Sequence, residues 1–231
     1  MDFLSQGFAE AFRLVTTGDG EVLHAIWVTV LCTTTAVTLA ALVALPIGAW
    51  LGVHRRDGRG GLVFLARIGM FTPTVVIGLL VFSVLSRRGA LGALDLLYTK
   101  TAIVAGEFLL ALPLIVTLTH GAVAALDRRV PETARTLGAG RLRTLFAVMS
   151  EVRVALVAAF LAGFARCLSE LGVVMTVGGN LEMRTRTLAS TISLEVRRGD
   201  FARGLACGLI LLVLAVGTAL LAHRLGRETR S

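Results

Sequence analysis

Five long apolar runs set the organisation of this chain. Ala25–Val53 holds no charge, and Leu62–Leu85 is interrupted by Arg67 alone. Thr101–Leu126 carries Glu107 and His120, Val154–Val177 carries Arg166 and Glu170, and Phe201–Ala222 has Arg203 near its start. Each run supplies the roughly 20 residues an α-helix needs to cross a bilayer. The runs are continuous, unlike the short alternating segments of a barrel. The pattern predicts an all-α integral membrane protein with five transmembrane helices. It forms one domain over residues 25–222, preceded by a segment 1–24 and followed by a tail 223–231.

Smaller features refine this outline. Pro46, Pro73 and Pro113 fall inside the first three runs. Each removes a backbone donor, so a kink is predicted at each. Gly48 and Gly52 form one small-xxx-small pair, and Gly204 with Cys207–Gly208 offers another. These predict close helix approach, within one subunit or between two. Phe3, Phe8, Ala11, Phe12 and Val15 recur at near-helical spacing, as in a short helix lying on a membrane. A loosely ordered tail is the alternative. The first 24 residues carry Asp2, Glu10, Asp19 and Glu21 against Arg13, so no cleavable signal is expected.

Charge then orients the helices. Five spans place the termini on opposite sides. His54–Gly61, Asp127–Arg153 and the tail together carry twelve basic and five acidic residues. The N-terminus, Ser86–Lys100 and Glu182–Asp200 carry eight of each. The positive-inside bias places the first group in the cytoplasm, with the N-terminus outside. This distribution accounts for the net charge of +8 without invoking a nucleic acid. Cys32, Cys167 and Cys207 lie in apolar runs and form no CxxC pair, which predicts packing roles and no metal site.

The segment Pro131–Glu151, PETARTLGAGRLRTLFAVMSE, is the most distinctive extramembrane stretch. Pro131 suits the first turn of a helix, and Glu132 suits its positive end. Gly138 and Gly140 predict a sharp bend, followed by a second helix from Arg141. Glu132-Thr133-Ala134, three further residues and Gly138 resemble the cytoplasmic loop of binding-protein-dependent ABC importer permeases. The family's pattern goes on to an apolar residue, matched by Val148, and then Leu-Pro; this chain has Ser150 and Glu151 there. The resemblance implies a coupling helix between spans three and four that docks on a separate ATPase. Glu132, Thr133, Ala134, Leu137, Gly138 and Arg141 would be its coupling residues. No GxxxxGK[ST] sequence is present, so ATP and magnesium are expected on the partner and no cofactor on this chain.

The stretch from Gly163 to Phe201 narrows the resemblance. Arg166 and Glu170 stand four residues apart, which predicts a shared helix face and an ion pair, either structural or bordering a substrate route. Gly178-Gly179-Asn180 predicts an unusual turn that could aim N–H groups at an anion. Ser169-Glu170-Leu171-Gly172, that glycine turn, Thr185-Arg186-Thr187 and Gly199-Asp200-Phe201 resemble tungstate-type ABC importer permeases, which are close to molybdate permeases. The implied fold is that of type I ABC importer permeases. The implied assembly is a homodimer with an ABC ATPase dimer below and an extracytoplasmic substrate-binding protein above. Candidate path residues are Thr33, Thr72, Thr74, Ser169, Glu170, Met175, Thr176, Asn180, Thr185 and Arg186. Thr29, Thr34 and Thr38 share the first run; bonding of each hydroxyl to its own backbone is the competing role. A proton-coupled carrier using Glu107, His120 and Glu170 is the rival of another class. No Ser/His or metal-ligand pair suggests an enzyme.

Overall fold

A computed structural model describes residues 2–54 and 60–227. The side chains of Phe3, Ala11 and Val15, the loop arginines among residues 55–59 and the last four residues lie outside what is described. The described residues form α-helices and short turns, with no strand among them.

The helices are α1 (Asp2–Thr16), α2 (Gly20–Val53), α3 (Gly60–Phe71), α4 (Thr74–Leu85), α5 (Lys100–Ala125), α6 (Arg129–Thr136), α7 (Arg141–Glu151), α8 (Arg153–Leu168), α9 (Leu188–Arg198) and α10 (Phe201–Arg227). A single 3₁₀ turn spans Gly92–Leu94, and a π-turn spans Val174–Gly178. By length and composition α2, α5 and α10 reach across a bilayer unaided. Two helix pairs reach that length and composition only when each is counted together: α3 and α4, which meet at 99°, and α7 and α8, which meet at 76°.

Two predicted spans are therefore not single helices. The second breaks at Thr72–Pro73, because proline lacks a donor and disfavours helical backbone at the residue before it. Pro73 takes an extended conformation (ψ 131°) and leads into α4. The fourth ends at Leu168 and resumes only after Glu170, with no proline to mark the break. Pro46 and Pro113, by contrast, lie within continuous helices. One lost hydrogen bond in a long buried helix is tolerated where its neighbours hold the remainder.

The α2–α5 pair is the centre of the fold. Val28, Cys32, Val37, Ala40 and Ala44 of α2 and Ile103, Leu110, Ala111 and Ile115 of α5 are buried together. Gly48 and Gly52 sit against this partner: a Cβ at Gly48 would lie 2.7 Å from the Val116 carbonyl and the Thr119 Cβ, and one at Gly52 2.6 Å from the Val123 Cβ. The small-xxx-small motif thus closes a contact within the chain. At one end α1 and α9 pack on α10 around Leu14, Val22, Leu188, Ala206 and Cys207. At the other, Val148 of α7 is buried against Ala49 and Val123. Large apolar side chains remain exposed on α4 (Val75, Leu79, Leu80) and on α10 (Leu212, Val213, Leu220, Leu221), as lipid-facing helices require.

Gly48→Leu is expected to lower the apparent melting temperature of the purified protein in detergent. Overpacking of this kind costs about 1–3 kcal/mol. Gly121→Ala in α5, with open space around it, is expected to leave that temperature unchanged or raise it.

Candidate functional site

The chain carries two candidate surfaces, one at an end of the α2–α5 pair and one part-way along it. The first is α6–α7. Asp127 Oδ1 accepts from the Arg129 N–H (2.9 Å) and opens α6, with Glu132 in the first turn. The helix closes through Leu137 N–H to the Thr133 carbonyl (3.0 Å) and Ala139 N–H to the Ala134 carbonyl (2.9 Å). Gly138 adopts φ +82° between these bonds, a left-handed conformation that a side chain would strain. The Thr144 hydroxyl is buried and reaches the Gly140 carbonyl (3.2 Å), which fixes the angle at which α7 starts.

This arrangement exposes a continuous surface. Glu132, Thr133, Leu137, Gly138 and Arg141 are exposed, and Ala134 is half-buried. Leu137, Leu142 and Phe146 are 82%, 72% and 69% exposed, an apolar patch amid arginines that none of the described residues covers. Behind it lies a cavity lined by Val53, His54, Asp127, Glu132, Arg135 and Val148. The predicted helix, bend and helix are all present.

The second surface surrounds the break after α8. Glu170 lies beyond the end of the helix, so it does not share a regular helix face with Arg166 as predicted. The ion pair nevertheless forms, Arg166 Nη1 to Glu170 Oε2 at 3.1 Å. The other carboxylate oxygen accepts from the Val173 N–H at 3.0 Å and caps the following turn. One side chain thus satisfies a restarted helix and an arginine together. Ser169 is exposed at the break, and Met175 and Thr176 are half-buried just beyond it. This turn meets the other broken span: a Cβ at Gly172 would lie 2.6 Å from Thr74 Oγ1, and one at Gly78 3.1 Å from the Thr176 side chain. Thr72 and Thr74 are half-buried here, with the Thr72 hydroxyl on the Ile68 carbonyl (3.2 Å).

The remaining candidates lie apart from this break. Thr33 is fully buried between α2 and α5, where it faces Glu107, itself 2% exposed. Thr34 and Thr38 are exposed on another side of α2, so the threonines do not form one row. The Thr29 hydroxyl donates to the Ala25 carbonyl and accepts from the Leu188 N–H, which pins α9 to α2. Asn180 takes φ +51° after the glycine pair. Thr185 is buried and donates to the Gly178 carbonyl (2.6 Å) while accepting from the Leu181 N–H (3.0 Å). Arg186 is buried between Glu21 (3.7 Å) and Glu182 (3.5 Å).

Three participants went unpredicted. Tyr98 lies over Gly179, where a Cβ would come within 2.7 Å of the ring, and its N–H meets the Val177 carbonyl at 2.9 Å. This packs the glycine turn against protein. Asp19 and Glu21 both receive Arg203 at 3.3 Å, tying the start of α2 to the start of α10. Helix α9 is the third. Its capping box, Thr187 with Ser190, and Gly199 at its end with φ +82° are sequence signals that could have located it.

Residues 44–231 match the family described as binding-protein-dependent transport system inner membrane component. The chain is 32% identical over 228 residues to a tungstate uptake system permease protein of Peptoclostridium acidaminophilum, covering 99% of this chain and 100% of that protein. It is 30% identical over 212 residues to a molybdenum transport system permease protein of Azotobacter vinelandii, covering 87% and 94%. A bacterial alginate ABC transporter, solved in complex with an alginate-pentasaccharide-bound periplasmic protein, superposes with a TM-score of 0.73 at 14% identity, over 98% of this chain and 86% of that one. That likeness shows the fold, the type I ABC importer permease arrangement.

Thr185→Val is expected to destabilise the protein by about 1–3 kcal/mol, because it strands the buried Gly178 carbonyl and removes the acceptor of the part-buried Leu181 N–H. Thr185→Ser retains both bonds and is expected to melt like the wild type. Thermal unfolding in detergent checks the pair.

Proposed function

This chain belongs to the binding-protein-dependent transport system inner membrane components, multi-pass proteins of the cytoplasmic membrane, and we propose that it is the permease subunit of an ATP-driven importer of a tetrahedral oxyanion, tungstate first. The observation that carries this reading is the α6–Gly138–α7 surface. Its apolar patch is exposed, its bend is fixed by a left-handed glycine, and its base is anchored on α2 and α5 through Val148. Such a surface fits a groove on another protein. If ATP powers transport, a partner must bind it, since the chain carries no GxxxxGK[ST] sequence.

In this reading two copies of the chain enclose the path. Two ATPases sit beneath the α6–α7 surfaces, and a substrate-binding protein docks at the outer end. The end bearing α6 and α7 faces the cytoplasm, in accord with its excess of arginine. ATP binding draws the ATPases together, and α7 transmits the movement through its bend into α8. ATP must bind one conformation more tightly than the other, since equal binding shifts nothing. The chain itself performs no covalent chemistry. Tungstate is favoured by full-length similarity to a tungstate uptake permease. Molybdate, of the same charge and shape, is the alternative outcome of the same assay.

In the proton-coupled alternative, two of its three groups stand far apart. His120 lies thirteen residues from Glu107 on α5, about 20 Å along the axis, beside a cavity lined by Gly60, Val63 and Arg67. Glu170 is held by Arg166 and the Val173 N–H.

The test is uptake of radiolabelled tungstate into proteoliposomes holding the permease, its ATPase and its binding protein. Uptake that requires ATP supports the reading. Uptake by the permease alone under a proton gradient overturns it. Gly138→Asp, which strains the bend and adds an anion to the docking surface, is expected to reduce ATPase co-purification by about tenfold, equivalent to roughly 1.4 kcal/mol. Wild-type recovery would remove Gly138 from the interface.

A further inference from the structure

We propose that the Arg166 guanidinium is the group that meets the translocated oxyanion within the membrane domain, with Glu170 as its positioning residue. The inference rests on the importer reading above and deepens it. It divides the two members of one ion pair into a contact and a support, on four observations.

The first is an asymmetry of exposure. The Arg166 side chain is 43% exposed and the Glu170 side chain 3%. Glu170 uses both carboxylate oxygens inside the protein, on Arg166 and on the Val173 N–H. It is therefore turned away from any aqueous path. Guanidinium carries five N–H donors, and the pair with Glu170 engages Nη1, so the exposed portion retains donors for a second acceptor.

The second is depth. Arg166 stands thirteen residues beyond the first residue of α8, about 20 Å along the helix. An arginine facing hydrocarbon that far from the helix start costs roughly 2.5–3.5 kcal/mol or more. The face that bears it therefore borders water or another polar surface.

The third is the composition of that face. Ala155 and Ala162 lie nearest to Arg166 on α8 at helical spacing and are half-buried, with Ala159 buried between them, and Ser169 is exposed just past the helix end. Val157, on the opposite side of the helix, is the one large apolar side chain exposed on α8. The outward faces of α4 and α10 carry valine and leucine instead. The α8 face thus differs from surfaces that suit lipid and leaves room beside the guanidinium.

The fourth is electrostatic balance. A guanidinium offers a planar fork that matches two oxygens of a tetrahedral oxyanion. An unneutralised arginine in a narrow path would hold a dianion too firmly to release it. Conduction needs binding strong enough for entry and weak enough for exit. Buried Glu170 supplies the opposing charge and fixes the guanidinium orientation, because its second oxygen is locked to the backbone of the next turn.

The experiment uses the assembled transporter in proteoliposomes, with permease, ATPase and binding protein, and tungstate as probe. The three native cysteines, all buried, are replaced by alanine. Arg166→Cys is expected to assemble with the ATPase and to lose about tenfold or more of tungstate uptake, the scale of a charge-assisted hydrogen bond. Reaction with aminoethyl methanethiosulfonate places an ammonium at this position and is expected to restore much of the uptake. The neutral methyl reagent is expected to restore none. Wild-type uptake by Arg166→Cys overturns the proposal. So does equal rescue by both reagents, or no rescue after complete labelling.

Should Arg166→Cys fail to assemble, Arg166→Lys carries the test. It keeps the charge and loses the fork, so a raised KM for uptake with normal ATPase recovery supports the contact, and wild-type kinetics overturn it. Failure of the importer reading has a separate signature: the wild-type assembly then takes up no oxyanion with ATP. Failure of the Arg166 proposal leaves wild-type uptake intact.

Discussion

The close approach of α2 to α5 is the contact on which the rest of the molecule depends. In lipid there is no hydrophobic force between apolar helices, so association comes from close van der Waals packing and polar contacts. Gly48 and Gly52 let α2 reach the backbone and β-carbons of α5, which makes a two-helix spine with both ends defined. Both broken spans lean on this spine. A Cβ at Gly69 of α3 would lie 2.8 Å from Pro113 Cβ, and Gly106 of α5 gives way to the Val173 side chain. Irregular backbone within a membrane survives only when buried in protein or beside a watery cavity. The spine provides that burial.

The two breaks also meet each other. The start of α4 at Thr74 packs against Gly172, and Thr176 packs against Gly78. Two helices that bend at the same place form a natural pivot. In the proposed importer this pivot lies at the far end of α8 from the ATPase surface. A push on α6 and α7 enters α8 through the 76° bend and emerges at Ser169–Glu170, where Arg166 waits. At the end away from α6 and α7, Arg186 with Glu21 and Glu182, and Arg203 with Asp19 and Glu21, brace the parts that frame this pivot.

Much of this was legible from residue pattern. The apolar runs fall on α2, α3–α4, α5, α8 and α10, and Pro131, Glu132 and Gly138 located the α6 bend, because helix starts and stops are local matters of proline, charge and glycine. What stayed hidden depended on distance along the chain. Tyr98 over Gly179, and Arg203 against Asp19, join residues with no mutual signal in a single sequence. The break at Ser169 was missed because Glu170 read as a helical partner of Arg166; its second role, capping the Val173 N–H, emerges only in three dimensions. Pro46 and Pro113 sit inside continuous helices, where the surrounding packing outweighs one lost bond. Helix α9 is a different case. Its caps were present, but its buried side includes Thr191 and Glu195, so an apolar reading passed over it.

The central claim is that nucleotide on a partner moves the break at Ser169 through α7 and α8. The direct measurement is the reactivity of a single cysteine, Ser169→Cys in a background lacking the native three, toward a membrane-impermeant maleimide in the assembled transporter. The account predicts that labelling differs between the nucleotide-free and ATP-bound states. Equal labelling in both states, with ATP hydrolysis intact, would contradict it.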